Sequence, residues 1–286
     1  MEYFSSKALN RKTKIGIGLG KSRDQNLKII SALKNFQNEH ETIIYLFIGN
    51  EEFNEISQNI ERDQFKTIVH LIKSDIPEYE MLKHLKEDLI DAAIRGSLNS
   101  NKFLDNMKNL FKITKLNRLA LLETFNGYQF FFAPVGIDEY RDYQSKIDFI
   151  ESALKFFDFI GIHPKISVLS GGRKDDRGRD DIVDKTLEIS ERIVAFFKNK
   201  YSTIQVFNDE ILIEKAIENK SNLIFAPDGI SGNLIYRTLV HLGGGKAHGA
   251  VYLGLEKIVI DTSRVGNVSE IKGAIKIAIS LFSNHN

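Results

Sequence analysis

The sequence predicts an α/β protein built on a mostly parallel sheet with helices on both faces. Short apolar runs rich in β-branched residues alternate with longer amphipathic runs along most of the chain, a pattern typical of βαβ units. Most of the short runs are apolar at nearly every position, as expected of strands that helices cover on both faces. The 286 residues, 42% of them hydrophobic, suffice for one large domain or two modest ones.

Ten segments are predicted to be strands because each is a short, mostly apolar run of strand length. In chain order they are 14–19, 42–48, 67–72, 89–94, 118–122, 128–134, 165–169, 203–207, 222–226 and 257–261. The prolines support this map, because each falls at a predicted strand end, strand start or helix start and none falls inside a predicted helix. They are Pro77, Pro134, Pro164 and Pro227.

Eight longer amphipathic runs are predicted to be helices. They lie at about 24–37, 77–87, 100–111, 140–160, 181–199, 209–219, 231–242 and 268–282. Asp24 and Asp209 are the predicted N-cap residues of two of them. No low-complexity linker divides the chain, so structured chain must cross any domain boundary, and we place one at the turn around residues 126–127.

Charge and composition exclude several classes of function. The 39 basic and 38 acidic side chains give a net charge of +1, so there is no basic excess for binding nucleic acid. The absence of cysteine excludes disulfides, thiolate metal sites and a cysteine nucleophile. The longest apolar runs are strand-sized, and the N-terminal residues do not resemble a signal peptide. We therefore expect a cytoplasmic protein that does not bind a membrane.

The run KIGIGLGKSRD places Gly16, Gly18 and Gly20 in and just after the first predicted strand. It imitates a dinucleotide-binding loop, but the third glycine of that motif would have to stand at Lys21. Close backbone packing is the preferred interpretation, with Lys21 and Arg23 as phosphate contacts otherwise.

A second polar cluster follows the strand predicted at 89–94. Arg95, Gly96, Ser97 and Asn99 precede a helix start, where an arginine and small polar groups can bind an anion. The alternative is structural, with Ser100 as the N-cap of the helix. The residues alone favour neither interpretation.

The third cluster begins with Ser170, Gly171, Gly172 and Arg173 at a strand end, and the chain holds three arginines and four aspartates between positions 171 and 181. One interpretation is a solvated loop whose charges pair among themselves. We favour a ligand-binding loop, because glycine lets backbone N–H groups approach a ligand and arginine binds anions through two N–H groups.

Two further strand ends carry polar residues. Asp228, Gly232 and Asn233 follow one strand, and Ser263 and Arg264 follow the last. Between them, three glycines at positions 243–245 predict a flexible connection or a close backbone approach. We expect His241 on a helix surface and His248 in a loop, and no metal site, because neither histidine has a partner at ligand spacing.

The segment LIFAPDGISGNLIYRTLVHLGGGKAHGAVYLGLEKIVIDTSR resembles the C-terminal motif of the phosphate acetyl- and butyryltransferases. Together with the motifs DAAIRGSL and VLSGGRKDDRGR, it identifies the chain as a member of the methanogenesis-associated Mtx methyltransferase subunit X family, or methanogenesis marker protein 4. The resemblance covers most of the chain from about residue 89 onward.

This resemblance implies a two-domain α/β/α sandwich, similar to phosphotransacetylase and to isocitrate and isopropylmalate dehydrogenases, with a cleft between the domains. The last helix would return to the first domain, so the expected domains are 1–126 with 266–286, and 127–265. The resemblance also implies a homodimer.

The resemblance assigns catalytic roles to Ser263, Arg264 and Glu270. In the acyltransferases the serine and arginine bind and polarise the acyl group, and an aspartate takes the proton of the coenzyme A thiol. Glu270 replaces that shorter aspartate, and Arg95 would substitute for an arginine missing from the first domain. The expected substrate-binding residues are Arg95, Gly96, Ser97, Ser170, Gly171, Gly172, Arg173, Asp228, Gly232 and Asn233.

Three functional hypotheses follow. The preferred one is a group transferase of the subunit X family that acts with other Mtx methyltransferase subunits on a small anionic metabolite. The others are an acyltransferase that moves an acyl group between coenzyme A and phosphate, and a ligand-binding or assembly protein that has lost catalysis. Coenzyme A is the candidate cofactor that the resemblance to the acyltransferases implies. The chain has neither a glycine-rich S-adenosylmethionine loop nor a corrinoid motif, so methyl transfer would need a partner subunit or a different mode of binding. All three expect Arg95, Arg173 and Arg264 to converge on one anion site.

Overall fold

The computed structural model describes residues 12–34, 36, 42–62, 65, 68–140, 142–263 and 266–284. The chain divides into two compact units. The first comprises the described residues up to Asn117 together with those from Ala247 onward, and the second comprises Arg118–Lys246. The predicted boundaries, after residues 126 and 265, lie further along the chain than these. The cleft expected between the domains stays a prediction.

The strands of the described chain are short and mostly apolar. They are β1 (Thr13–Leu19), β2 (Thr42–Gly49), β3 (Ile68–Ser74), β4 (Ala92–Ile94), β5 (Asn117–Glu123), β6 (Gln129–Ala133), β7 (Lys165–Leu169), β8 (Gln205–Glu210), β9 (Leu223–Phe225), β10 (Lys246–Leu253) and β11 (Ile258–Asp261).

The α-helices follow the strands in the alternation that the sequence predicts. They are α1 (Arg23–Lys34), α2 (Phe53–Arg62), α3 (Pro77–Lys86), α4 (Ser100–Phe111), α5 (Tyr143–Ile160), α6 (Asp181–Lys200), α7 (Ile213–Glu218), α8 (Gly229–Arg237) and α9 (Val268–Asn284). A 3₁₀ turn occupies Lys174–Asp176, and a π-helical turn at Thr238–Leu242 extends α8.

The sheet of the first unit has the strand order β3-β2-β1-β4-β11-β10. Its described pairs are parallel except for β10 with β11. Ile15, Ile17 and Val259 are fully buried, as expected of central strands that helices cover. The chain passes from β1 outward to β2 and β3, and then returns to β4 on the other side of β1.

The sheet of the second unit has the order β5-β6-β9-β7-β8. β5 and β6 form an antiparallel hairpin, and the other described pairs are parallel. Phe131, Phe132 and Phe225 fill its core. The prediction of a mixed α/β fold with a mostly parallel sheet is therefore confirmed.

Both predicted N-caps are wrong. Asp209 lies inside β8, where its carboxylate accepts hydrogen bonds from the Ser167 hydroxyl and, at 3.0 Å, from the Asn219 amide. The helix expected from position 209 begins only at Ile213. Asp24 lies in the first turn of α1, which begins one residue earlier.

The sequence prediction also missed β10 and α2. No strand was predicted at 246–253, yet this segment forms a strand antiparallel to β11. His248 is therefore not in a loop, since it lies in β10 and is 6% exposed. Its close neighbour is α9, because a Cβ added at Gly273 would lie 2.8 Å from the His248 Cα. His241 lies in the π-helical turn after α8.

Candidate functional site

Arg95 connects the ends of β4 and β11, which are parallel neighbours in the first unit. Its side chain is 3% exposed and donates three hydrogen bonds to the protein. Nε donates to Asp261 Oδ1, Nη2 to the Thr262 carbonyl, and Nη1 to the Leu98 carbonyl at 2.8 Å. Arg95 thus fixes the two strand ends relative to each other.

Asp261 is the centre of this buried network. Besides Arg95, its carboxylate accepts hydrogen bonds from the Thr262 N–H at 3.0 Å and the Tyr252 hydroxyl at 3.2 Å. The Thr262 hydroxyl donates to the Gly96 carbonyl at 3.1 Å. A buried ion pair is tolerated when hydrogen bonds satisfy both partners, and these contacts meet that condition.

Glu270 lies in the first turn of α9 and is 4% exposed. Its Oε1 accepts a hydrogen bond from the Ser263 N–H at 2.7 Å, which connects the helix to the segment after β11. The Asn267 side chain accepts from the Glu270 N–H at 3.1 Å and thereby caps the helix. Gly266 leaves room for Oε2, because a Cβ added there would overlap that oxygen.

The environment of Glu270 raises its pKa to about 7 from an ordinary value of 4.5. Burial is the main cause, because it disfavours the charged form. The Ser263 N–H and the Arg95 charge lower the pKa, whereas the negative charge of Asp261 raises it. A carboxyl with a pKa near neutrality can take up and release a proton at physiological pH, which is the requirement for a general base.

Ser97 closes a second polar network beside this one. Its hydroxyl accepts from the Gly20 N–H at 2.8 Å and donates to Asn26 Oδ1 at 2.6 Å, while Asn26 Nδ2 donates to the Gly20 carbonyl at 2.7 Å. Gly18 in β1 and Gly20 just after it allow close backbone packing, which is the interpretation favoured from the sequence. A Cβ at Gly18 would overlap Leu98, and one at Gly20 would overlap the Ser97 carbonyl.

Gly96 adopts a φ of +62°, a conformation that favours glycine, and a Cβ there would overlap the Gly18 carbonyl. The N-cap of α4 is Asn99, whose side chain accepts from the Lys102 N–H at 3.1 Å. Ser100, the N-cap considered from the sequence, is the first residue of the helix.

The Arg/Asp-rich segment after β7 is an ordered loop in the second unit. The Ser170 hydroxyl donates to the Gly172 carbonyl at 2.9 Å, and the Gly171 N–H donates to the Thr186 hydroxyl at 2.8 Å. Asp176 accepts from the Arg173 N–H at 2.9 Å and pairs with Arg179. These two contacts lower the pKa of Asp176.

The other charges of this loop also bind the protein. Asp180 caps α6 by accepting from the Ile182 and Val183 N–H groups, and Arg177 pairs with Glu191 at 2.6 Å. Charge pairing within the loop was the alternative to ligand binding, and it engages Arg179 with Asp176. Arg173 and Lys174 are exposed cations that make no ion pair among the described residues.

Asp228 is the N-cap of α8, where Oδ1 accepts from the Ile230 N–H at 2.8 Å and from the Ser231 N–H at 2.9 Å. Gly232 packs against the segment after β6, because a Cβ there would overlap the Pro134 carbonyl. Asn233 donates from Nδ2 to the Val135 carbonyl at 2.8 Å. Gly232 and Asn233 therefore attach the start of α8 to the segment after β6, and Asp228 stabilises the start of the helix itself.

The expected site residues thus fall into two groups. Arg95, Gly96, Ser97, Ser263 and Glu270 lie in the first unit, and Ser170–Arg173 and Asp228–Asn233 lie in the second. Arg264 lies outside the described residues. The convergence of the three arginines stays a prediction.

Three residues that build the site in the first unit were not predicted from the sequence, and they are Tyr252, Thr262 and Gly266. Asp261 carried a signal, since it is a carboxylate at a predicted strand end, but its pairing with Arg95 was not predicted. Among the described residues, no group of three or more histidines and carboxylates could hold a metal ion. In the same part of the chain, no helix combines the length and the apolarity that crossing a bilayer requires.

Comparison with known proteins assigns the chain to a family. A protein from Methanosarcina mazei named "Putative methyltransferase mtx subunit X" is 35% identical over 266 residues, covering 93% of this chain and 90% of the relative. The chain belongs to the Mtx subunit X family. A family member of the same name from Methanosarcina barkeri is 41% identical over 206 residues, covering 72% of this chain and 75% of that protein. No protein-family model matches the chain.

Solved structures share the fold of this subunit X family member. A phosphotransacetylase from Staphylococcus aureus matches with a TM-score of 0.68 at 16% identity, covering 99% of this chain and 97% of that one. A branched-chain phosphotransacylase from Enterococcus faecalis matches with a TM-score of 0.67 at 16% identity, covering 94% and 99%. A 4-hydroxythreonine-4-phosphate dehydrogenase from Klebsiella pneumoniae gives 0.61 at 13% identity, covering 94% and 99%. The fold is therefore that of the phosphotransacetylases and related dehydrogenases.

Proposed function

We propose that this protein is a group transferase in which Glu270 is the general base and the segment at Ser263–Arg264 binds the group that is transferred. The observation that carries the proposal is the buried Glu270 carboxyl, whose pKa of about 7 lies where a general base works best. Strongly perturbed carboxyls are enriched at catalytic sites. Here the perturbation comes from burial and from Asp261, both part of the folded site.

In this mechanism the acceptor loses its proton to Glu270 as it attacks the group. Oε1 is held by the Ser263 N–H, and Oε2 faces Gly266, so the proton is taken up by an oriented carboxylate. Glu270 takes the proton as a carboxylate, and the protonated Glu270 then returns it to the leaving group. In acyl transfer Arg264 would neutralise the negative charge that develops on the carbonyl oxygen, and in methyl transfer it would bind the anionic substrate.

The relatives are named as a subunit of a methyltransferase. We therefore propose that the transferred group is a methyl group, and that the chain acts together with other methyltransferase subunits on a small anionic substrate. The chain lacks a recognisable S-adenosylmethionine loop and corrinoid motif, so a partner subunit would carry the methyl donor. Co-purification with methyltransferase or corrinoid subunits is expected, and isolation as a partner-free homodimer would count against this assignment.

Acyl transfer between coenzyme A and phosphate is the second candidate, favoured by the hydrogen bond between Ser263 and Glu270 in a phosphotransacetylase-like fold. The thiol of coenzyme A would give its proton to Glu270, and its sulfur would bond to the acyl carbon. The bond between that carbon and the phosphate oxygen would break, releasing phosphate.

Ligand binding without turnover is the third candidate. It is favoured by the engagement of Arg95, which makes three hydrogen bonds to the protein. In this case Glu270 and Arg95 would maintain the fold of a binding site. An anionic metabolite would then bind saturably and leave unchanged.

Calorimetric titration separates these candidates. Coenzyme A, acetyl-CoA, acetyl phosphate, inorganic phosphate and a corrinoid are titrated into the wild type and into Arg264→Ala, with Glu256→Gln as an exposed control in the same unit. Coenzyme A binding that Arg264→Ala abolishes would support acyl transfer. Binding of the corrinoid without binding of coenzyme A would support methyl transfer. Ligand binding that persists in Glu270→Gln, with no turnover in the wild type, would contradict both enzymatic candidates.

A further inference from the structure

A cavity of about 520 Å³ lies at the carboxyl ends of strands in the first unit. Gly20 follows β1, Asn50 follows β2, Asp75 follows β3 and Ser97 follows β4, and all four line it. The chain leaves β1 toward β2 on one side and returns to β4 on the other, so the strand order reverses here. Open α/β sheets bind ligands at such a reversal, and this volume suits a small molecule.

Glu78 is the unusual residue of this cavity. It is the second residue of α3, lines the cavity and is 6% exposed. Within the described part of the chain it makes no side-chain hydrogen bond and no ion pair. Its carboxylate oxygens are not completely enclosed, so they remain accessible from the cavity that Glu78 lines. A ligand bound in the cavity can therefore donate hydrogen bonds to them.

Two other acidic groups of the cavity have partners. Asp75 accepts a hydrogen bond from the Asn50 amide, and Glu51 pairs with Lys21 at 3.3 Å. Within the described part of the chain, Glu52 resembles Glu78 in making no side-chain hydrogen bond or ion pair. Glu78 differs from all three in burial, because Glu52 is half-buried and Glu51 and Asp75 are exposed.

The charge of the lining restricts the class of ligand. Four carboxylates, at Glu51, Glu52, Asp75 and Glu78, face two lysines, Lys21 and Lys102. The acidic excess disfavours a ligand with several phosphate groups, and the two lysines oppose a simple cation. A molecule that offers hydroxyl donors to Glu78 satisfies both conditions.

We propose that this cavity binds a small molecule through a vicinal diol whose two hydroxyls donate to the two oxygens of Glu78. Hydroxyl-to-carboxylate hydrogen bonds are short and strong, and a carboxylate can accept from two donors at once. The ribose of a nucleoside and the ring of a free sugar phosphate both present this group. The proposal is independent of the proposed function, since it uses none of the residues around Glu270.

The test is calorimetric titration with adenosine, ribose 5-phosphate and 2′,3′-dideoxyadenosine, which lacks the diol. Saturable binding of adenosine or ribose 5-phosphate is expected, and the one that binds identifies a nucleoside or a sugar phosphate as the source of the diol. The dideoxy compound should not bind measurably. Equal binding of adenosine and the dideoxy compound, or no binding of either diol at millimolar concentration, would overturn the proposal.

Glu78→Gln keeps the size of the side chain and removes its charge. It should weaken binding of the diol at least about tenfold, because hydrogen bonds to a charged group are lost. Glu87→Gln is the matched control, since Glu87 is an exposed glutamate just after the other end of α3. Unchanged affinity in Glu78→Gln, or an equal loss in Glu87→Gln, would also contradict the proposal.

Discussion

Replacing Glu270 with glutamine should stabilise the protein increasingly as the pH rises from acid to neutral. The pKa of Glu270 is about 7 in the folded protein and 4.5 when the group is unperturbed. Between these values the native state binds more protons than the unfolded state, so the wild type loses stability as the pH rises. This loss of stability is complete above the pKa of Glu270 in the folded protein. The Glu270→Gln variant does not lose this stability, because glutamine does not ionise.

The size of this stability difference follows from the difference between the two pKa values. Each pKa unit corresponds to about 1.36 kcal/mol, so a change from 4.5 to about 7 alters the free energy of unfolding by about 3 kcal/mol. The stability of Glu270→Gln relative to the wild type should therefore rise by that amount between about pH 4.5 and about pH 8. The Ser263 N–H can still donate to the glutamine carbonyl, so the backbone contact survives.

Urea unfolding at several pH values measures this difference. Glu256→Gln serves as the control, since it makes the same chemical change at an exposed glutamate of the same unit. A difference for Glu270→Gln that is flat across the range would refute the reasoning. So would a variant that becomes less stable than the wild type as the pH rises, because it would mean that the fold favours the carboxylate.

Three further predictions test the contacts around the two groups of site residues. Arg95→Met should lower the free energy of unfolding in urea by about 3–5 kcal/mol, because it leaves Asp261 buried without its cation. Adding Asp261→Asn should recover part of that stability, and strictly additive losses in the double variant would contradict the pairing. Gly232→Ala should cost about 1–3 kcal/mol in the same assay, because its methyl group would overlap the Pro134 carbonyl; a stability equal to the wild type would contradict this. Asp228→Ala should lower the free energy of unfolding by about 0.5–2 kcal/mol, because the N-cap of α8 is lost. Asp228→Asn keeps an accepting oxygen and should lower it less. Equal losses in the two variants would mean that the cap is not the cause.

Most of the sheet could be predicted from the sequence because its central strands are buried on both faces. The strand predicted at 14–19 is β1, and the one predicted at 165–169 is β7. β10 could not be predicted, because Gly243–Gly245 and the small residues that follow give neither a helical nor a strand-like pattern. It is ordered by its pairing with β11 and its packing on α9, which are contacts with distant residues.

The candidate site was predictable only in part for the same reason. The sequence indicated Glu270 through a family resemblance and Arg95 through its position after a strand. It could not indicate that Arg95 pairs with Asp261, because these residues are 166 positions apart and meet only when β4 and β11 pair. The raised pKa of Glu270 likewise depends on burial by the folded chain.

The ionisation of Glu270 is the central claim of this account, and NMR titration of its side-chain carboxyl carbon tests it directly. The wild type and Glu270→Gln are labelled at glutamate carboxyls, and the resonance missing from the variant identifies Glu270. The account predicts a midpoint near pH 7 for that resonance, about 2.5 units above the ordinary value. A midpoint at or below 4.5 would contradict it, because Glu270 would then be fully ionised at neutral pH and far less suited to act as the general base.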